Sequence, residues 1–150
     1  GDLVLPIGRG HRNQGIADVR VRCSGSGSGA VVHGDPLQLG RVFRNLLLNA
    51  GKAMHGDGVV RVRVASQAKR CVVSVADSGP GVPRALRDKI FEPFFTTRVA
   101  AMGLGLPIAR RIVEAHGGEL RVGAPRGGAR FVVSLPLDRP PHELASRLAG

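Results

Sequence analysis

The sequence contains no tryptophan and no tyrosine, and aromatic residues make up only 3% of its 150 residues. Proteins that bind single-stranded nucleic acid usually stack the bases on aromatic side chains, and no nucleic-acid recognition motif occurs here. The formal net charge is nevertheless +11. The basic residues, nearly all arginines, are scattered along the chain rather than arranged in a stripe. We therefore expect no nucleic-acid partner, although the positive field favours an anionic ligand or an acidic partner.

Cysteines and long hydrophobic segments are also scarce. Cys23 and Cys71 both lie in predicted strands without metal-ligating neighbours at a suitable spacing, so we interpret them as reduced thiols. No apolar segment approaches the length of a membrane-spanning helix, and we expect no direct membrane contact. Hydrophobic residues still make up 43% of the chain, which predicts a globular domain with a core.

The apolar patterning predicts six strands and two helices. Strands are predicted at 16–23, 31–35, 58–66, 70–77, 118–125 and 128–136. A long helix is predicted to open at Asp35 and Pro36 and to end before 56–58, and a second helix to cover 103–116, with a short helix at most over 84–90. This order predicts an α+β fold, a two-layer α/β sandwich in which a mixed sheet packs on helices.

A glycine-rich segment from Gly25 to Ala30 formally matches the dinucleotide-binding pattern G-x-G-x-x-G/A. That fingerprint requires a helix directly after the glycines. Because 31–35 favours another strand instead, we interpret the segment as a flexible hairpin loop.

The predicted long helix carries three polar side chains on one side. Asn45, Asn49 and Lys52 stand at i, i+4 and i+7 on an otherwise apolar helix. Amide oxygens can ligate a hard cation such as Mg²⁺, and a lysine can bind phosphate. The alternative is that the asparagines bond neighbouring backbone and that Lys52 extends to water.

Two glycine-rich segments are further candidates for a ligand site. Asp77 ends a buried strand and can accept a hydrogen bond from an exocyclic amine such as that of adenine, while the glycines after it allow close approach of a flat ring. The segment 102–106 leads into the second helix, where free backbone N–H groups can hold phosphate. An ordinary turn and an ordinary helix start are the corresponding alternatives.

Five motifs in this order resemble the catalytic ATP-binding domain of two-component sensor histidine kinases. They are NLLLNAGKAM (45–54), DSGPGV (77–82), FEPFFTT (91–97), MGLGLPIARRIVEAHGG (102–118) and GGARFVVSLP (127–136). The resemblance covers about 16–137 and is greatest to the nitrogen-regulation and oxygen-sensor type. It implies the Bergerat fold of the GHKL superfamily, with residues 1–15 as a linker or helix from a preceding dimerisation domain and 138–150 as a tail.

The resemblance also implies roles for individual residues. Asn49 corresponds to the Mg²⁺ ligand, Asn45 to a catalytic position in the same site and Lys52 to a phosphate contact. Asp77 corresponds to the adenine-reading carboxylate. The remaining implied nucleotide-binding positions are Gly79 and Gly81, Phe94 of an F box that includes Phe91 and Phe95, Thr97 of a lid over 96–102, and Gly103, Leu104, Gly105 and Leu106 of a second glycine box.

The implied activity is transfer of the γ-phosphate of Mg-ATP to a histidine on a dimerisation domain outside this chain, for relay to a response regulator. Asn45 stands where related ATPases have a glutamate that activates water, which favours a protein nucleophile. His142, in a segment that echoes the acceptor motif, lies at the wrong end of the chain to be that acceptor. The resemblance implies a cytoplasmic domain, whether or not the parent protein is membrane-anchored.

Two departures from the family pattern keep other functions open. Ala101 replaces a common glycine, and Ala129 replaces a threonine whose hydroxyl helps to hold adenine. Loss of that hydroxyl would weaken binding by about 1 kcal/mol. These departures motivate the alternative of a degenerate domain that docks a partner, and an anti-sigma serine kinase is a second alternative.

Overall fold

The structure, a computed structural model, describes residues 18–25 through their backbone and residues 32–55, 57–95, 105–123 and 127–137 in full. Two α-helices and five strands lie within these ranges. The helices are α1 (Pro36–Ala53) and α2 (Gly105–Ala115), and the strands are β1 (Asp18–Gly25), β2 (Asp57–Gln67), β3 (Arg70–Ala76), β4 (Glu119–Gly123) and β5 (Arg130–Pro136). Two 3-10 turns, Arg84–Leu86 and Lys89–Phe91, stand where a short helix at most was predicted.

The strands form one mixed sheet in the order β1-β2-β3-β5-β4. β1 pairs parallel to β2 across the connection that contains α1, and the other three pairings are antiparallel. Both hairpins, β2–β3 and β4–β5, were predicted from the sequence. The helices cover one face of the sheet, so the predicted two-layer α+β sandwich with a mixed sheet is confirmed.

Helix α1 begins and ends where local chemistry directs it. Asp35 has an extended backbone, and its side chain accepts hydrogen bonds from the N–H groups of Leu37 (2.9 Å) and Gln38 (3.4 Å). Pro36 follows in the first turn, where its missing N–H costs nothing. At the other end the N–H of Met54 bonds the carbonyl of Ala50 at 3.1 Å. The predicted helix start is therefore confirmed.

The core lies between the helices and the inner face of the sheet. Its fully buried members recur at helical spacing on α1 and α2 and at alternate positions on the strands, as the two periodicities require. They include Val42, Leu46 and Ala50 of α1, Ala109 and Val113 of α2, and Val60, Val75, Leu120, Phe131 and Val133 of the sheet. None of the described helices is long and apolar enough to cross a membrane.

The predicted strand at 31–35 is wrong for its described residues, 32–35. These residues are irregular and pair with no described strand. The N–H of Asp35 donates to Nε2 of His116 at 3.1 Å, so it bonds a side chain rather than a neighbouring strand. A Cβ on Gly34 would lie only 2.5 Å from Cδ2 of His116, so glycine provides the space for that ring. The predicted N-terminal segment, 1–15, and the predicted tail, 138–150, lie outside the described residues.

His116 joins the end of α2 to the start of α1. Its Nδ1 lies 2.7 Å from the carbonyl oxygen of Ile112, while Nε2 accepts from Asp35. These partners assign the neutral tautomer with the proton on Nδ1. His116 therefore connects the C-terminal end of α2 to the residue that precedes α1.

We expect His116→Ala to lower the free energy of unfolding by about 1 to 2 kcal/mol, because the ring makes one hydrogen bond to Ile112 of its own helix and one to Asp35 at the start of α1. Urea denaturation would measure the loss. His33→Ala is the matched control, since His33 is exposed and its replacement should change stability by less than about 0.5 kcal/mol. Equal effects of the two substitutions would contradict the role of His116.

Candidate functional site

Asp77 is a buried carboxylate at the end of β3. Its Oδ1 accepts hydrogen bonds from the N–H groups of Gly79 (2.9 Å) and Ala129 (3.1 Å), and its own N–H donates to the carbonyl of Ala129 at 2.9 Å. Among the described residues, Asp77 is the one buried side chain that carries a charge. Two backbone donors fix the orientation of the carboxylate through one oxygen. A carboxylate held in this way can accept a further hydrogen bond from a donor on a ligand.

Glycines pack closely around this carboxylate. A Cβ on Gly79 would lie 3.1 Å from Oδ1 of Asp77 and 3.2 Å from the carbonyl of Ala53. Gly81 has φ +82°, and a Cβ there would lie 2.7 Å from the carbonyl of Gly128. The predicted glycines Gly79 and Gly81 therefore lie next to Asp77 and give its loop a shape that a side chain would disturb.

Gly128 is a site residue that the sequence analysis did not single out. Its φ is +70°, and a Cβ on it would approach the carbonyl oxygen of Asp77 to 1.9 Å. The double glycine before β5 was the available signal. The neighbouring Ala129 holds Asp77 through its backbone alone, so the alanine at this position leaves both backbone contacts in place.

The three polar residues of α1 have different environments. Asn45 is half-buried, and its Nδ2 donates to the carbonyl of Gly105 at 3.2 Å. This bond ties the middle of α1 to the start of α2, so the alternative that an asparagine bonds neighbouring backbone holds for Asn45. Asn49, one turn later, is also half-buried, and Lys52 is exposed on the last turn. The helix thus carries an amide and an ammonium beyond the point where it meets α2.

Met54 and Ser78, neither of them predicted, connect the end of α1 to the Asp77 loop. The N–H and the hydroxyl of Ser78 both donate to the sulfur of Met54, at 3.4 Å and 3.2 Å. The Ser78 hydroxyl also accepts from the N–H of Val59 in β2 at 3.2 Å. These hydrogen bonds therefore connect helix α1 to the loop that carries Asp77, in addition to the packing of the hydrophobic core.

The aromatic residues of the FEPFF segment divide into partly buried and exposed members. Phe91 makes an edge-to-face contact with Phe131 of the core, with centroids 6.4 Å apart, and the guanidinium carbon of Arg110 lies 4.7 Å from its ring centroid. These contacts anchor the segment to α2 and the sheet. Phe94 is 71% exposed and has φ +65°.

Several predicted positions lie outside the described residues. These are Thr97 and the lid over 96–102, Gly103 and Leu104. Of the second glycine box, Gly105 and Leu106 are described, and they form the first turn of α2. Cys71 is remote from this chemistry: burial raises the pKa of its thiol, which favours the protonated form that does not bind metals.

The described residues fit an adenine nucleotide with Mg²⁺. The Asp77 carboxylate is the acceptor that an exocyclic amine needs, and Gly79 and Gly81 keep the loop beside it free of side chains. No described group of three or more His, Cys, Asp or Glu side chains could hold a metal alone. Mg²⁺ bound chiefly by phosphate oxygens needs only one or two protein oxygens, a requirement that the amide of Asn49 meets.

Comparison with known proteins places these features in a family. Residues 34–139 match the family described as histidine kinase-, DNA gyrase B- and HSP90-like ATPase. Sporulation kinase C of Bacillus subtilis is 42% identical over 110 residues, which are 73% of this chain and 26% of that protein. Sensor histidine kinase ZraS of Escherichia coli (strain K12) is 35% identical over 122 residues, which are 81% of this chain and 26% of that protein. The chain thus spans about a quarter of the length of these curated relatives.

Solved structures agree with the sequence relatives. The catalytic domain of histidine kinase ThkA superposes with a TM-score of 0.73 at 33% identity, covering 79% of this chain and 78% of that one. Mycobacterial sensor histidine kinase MprB superposes with a TM-score of 0.73 at 31% identity, covering 86% and 87%. With the buried carboxylate, its glycines and the asparagine helix in the places described above, the chain belongs to the histidine kinase-, DNA gyrase B- and HSP90-like ATPase family, as an ATP-binding catalytic domain of the sensor histidine kinase type.

Proposed function

We propose that this domain binds Mg-ATP and transfers the γ-phosphate to a histidine on a separate dimerisation domain, from which a response regulator aspartate receives it. The observation that carries the proposal is Asp77, a buried carboxylate whose Oδ1 is already bonded to two backbone N–H groups. A carboxylate buried without a function would be costly. An adenine amine is the hydrogen-bond donor that this position suits.

The two helices would contact the phosphates through different groups. The N-terminus of α2 offers backbone N–H groups and the positive end of a helix dipole, and Asn45 holds that terminus through Gly105. Lys52 would neutralise phosphate charge from the last turn of α1. In this role Asn45 positions the phosphate-binding helix, because its amide donates to backbone rather than pointing at a ligand.

Asn49 would supply the protein oxygen to Mg²⁺. The bound ion, when present, neutralises negative charge that builds up on the phosphates during transfer. The residues of this chain would orient the nucleotide and exclude alternative geometries, which accounts for much of the rate in phosphoryl transfer.

The nucleophile would come from another domain. Asn45 cannot accept a proton as a carboxylate base would, and its amide is engaged with Gly105, so the described site offers no general base for water at this position. A neutral imidazole needs little activation near neutral pH. A structure of histidine kinase ThkA in complex with response regulator protein TrrA, which matches with a TM-score of 0.70 at 30% identity over 80% of this chain, supports a response regulator as the final acceptor.

Calorimetric titration with Mg-ATP tests nucleotide binding directly. We expect saturable binding by the 150-residue chain, and phosphorylation of a cognate dimerisation domain supplied in trans. The product should be acid-labile, as phosphohistidine is and phosphoserine is not. A folded sample that binds no ATP at millimolar concentration would sink the proposal, and an acid-stable product would point to a serine kinase instead.

We expect Asn49→Ala to reduce phosphotransfer about 100-fold at fixed Mg²⁺, because the ion would lose its protein ligand. Binding of ATP in the presence of EDTA should change by less than about threefold, since hydrogen bonding to adenine does not depend on Mg²⁺. Arg44→Ala provides a matched control on an exposed position of the same helix. A uniform loss with and without Mg²⁺ would show that Asn49 supports the fold rather than the ion.

A further inference from the structure

The sheet face opposite the helices gathers arginines that are distant in sequence. Side chains point alternately to the two faces of a strand. Val60, Val75, Leu120 and Phe131 are buried on the inner face, so the residues directly next to them in each strand lie on this outer face. We call it the arginine face. Its exposed arginines are Arg61 and Arg63 of β2, Arg121 of β4 and Arg130 of β5.

The strand register surrounds these arginines with small residues. Arg61 and Arg130 both pair with Ala76, and Arg63 pairs with Ser74. Arg22 of β1 is the backbone partner of Arg61. Arg121 pairs with Val132 of β5, so the backbone neighbours of these exposed arginines on β3 and β5 are no larger than valine.

Little in the described structure neutralises this charge. The described carboxylates on this face are Asp57 at the start of β2 and Glu119 at the start of β4. The salt bridge found among the described residues, Arg110 to Glu114, lies on α2 in the other layer. A basic surface without carboxylates between its arginines attracts an anionic partner.

The shape of the face narrows the chemistry of that partner. Five strands about 4.8 Å apart and about 23 Å long give an area near 450 Å², roughly half of what a stable protein interface buries per partner. The face also offers no described aromatic side chain to act as an anchor. A curved nucleic-acid duplex would meet only a strip of it. A membrane surface presents phosphates over the whole extent of the face, and the planar guanidinium binds phosphate through two hydrogen bonds.

We propose that the arginine face binds the phosphate headgroups of an anionic phospholipid membrane. The contact is peripheral and electrostatic, because exposed guanidinium groups bind phosphate at the surface of the membrane. Asp77 shares the inner parity of β3 with Val73 and Val75, so the nucleotide site lies on the helix side and stays accessible. The sequence suggested no membrane contact, because residues 61 to 130 come together only when the strands pair.

Cosedimentation with vesicles tests the proposal. The 150-residue chain is mixed with vesicles of about one part phosphatidylglycerol to two parts phosphatidylcholine at about 0.1 M salt. We expect binding to the anionic vesicles, none to pure phosphatidylcholine, and a marked decrease at about 0.5 M salt. Absence of binding to the anionic vesicles would overturn the proposal.

Two variants with the same net charge distinguish the effect of the arginine face on vesicle binding from the effect of net charge alone. The first combines Arg61→Gln, Arg63→Gln, Arg121→Gln and Arg130→Gln. The second combines Arg41→Gln, Arg84→Gln, Lys89→Gln and Arg111→Gln, which are exposed positions of the helical layer. Each removes four charges from +11 and leaves +7.

We expect the first variant to bind anionic vesicles at least about 30-fold more weakly, because each arginine at an anionic surface contributes about fivefold. The second variant should lose less than about threefold, through the weaker long-range field alone. Both should keep the circular dichroism spectrum and the Mg-ATP affinity of the parent chain. Equal losses in the two variants, or tighter binding of a short DNA duplex with the same dependence on the arginine face, would overturn the proposal.

Discussion

Replacing Gly128 with alanine is expected to lower the free energy of unfolding by at least about 3 kcal/mol, because the new Cβ has no space. Gly128 has φ +70°, and its Cβ would lie 1.9 Å from the carbonyl oxygen of Asp77. That oxygen is backbone, so it cannot turn aside as a flexible side chain could. Either the loop at Asp77 or the start of β5 must move.

Gly127 provides a control in the adjacent position. Its φ is +73°, nearly the same, but a Cβ on it would have no atom within 4 Å. Gly127→Ala therefore carries the backbone cost of a left-handed residue, about 1 kcal/mol, without the clash. The difference between the two variants in the free energy of unfolding, measured by urea denaturation, gives the cost of the close approach to Asp77. If both lost the same stability, the contact between Gly128 and Asp77 would not be a constraint on the fold.

The sequence predicted α1 well because the signals for a helix are local. Asp35 and Pro36 mark its start, and apolar residues at four-residue spacing identify the face that contacts the core. Asp77 was also predictable, since it follows an alternating strand and precedes glycines. Each of these inferences needs only residues close together in the chain.

Features that depend on pairing distant segments could not be predicted. The strand expected at 31–35 fails because Asp35 bonds His116, which is 81 residues away. The role of Gly128 depends on its distance to Asp77, and the arginine face depends on the register of β2, β3 and β5. The spacing predicted that Asn45 lies on the polar side of α1, but it could not show that the amide of Asn45 donates to the carbonyl of Gly105.

Replacing Asp77 with asparagine is expected to weaken ATP binding at least about 30-fold while leaving the fold intact. This prediction rests on the proposed function. Oδ1 of Asp77 accepts from the N–H groups of Gly79 and Ala129, so the amide oxygen of the new side chain must take that place. The amide nitrogen then occupies the position of Oδ2 and presents a donor to the adenine amine, which is also a donor.

A nucleotide with a carbonyl in place of the amine distinguishes this mechanism from general damage. Inosine triphosphate offers an acceptor at that position, so its affinity should fall less than that of ATP and can rise above it in Asp77→Asn. Asp57→Asn, at an exposed aspartate, controls for the change in charge. Thermal unfolding should shift little in Asp77→Asn and markedly in Asp77→Ala, which would leave two N–H groups without an acceptor. Parallel losses for ATP and inosine triphosphate would mean that Asp77 does not contact the base, and the carboxylate would then serve only to hold the glycine loop to β5.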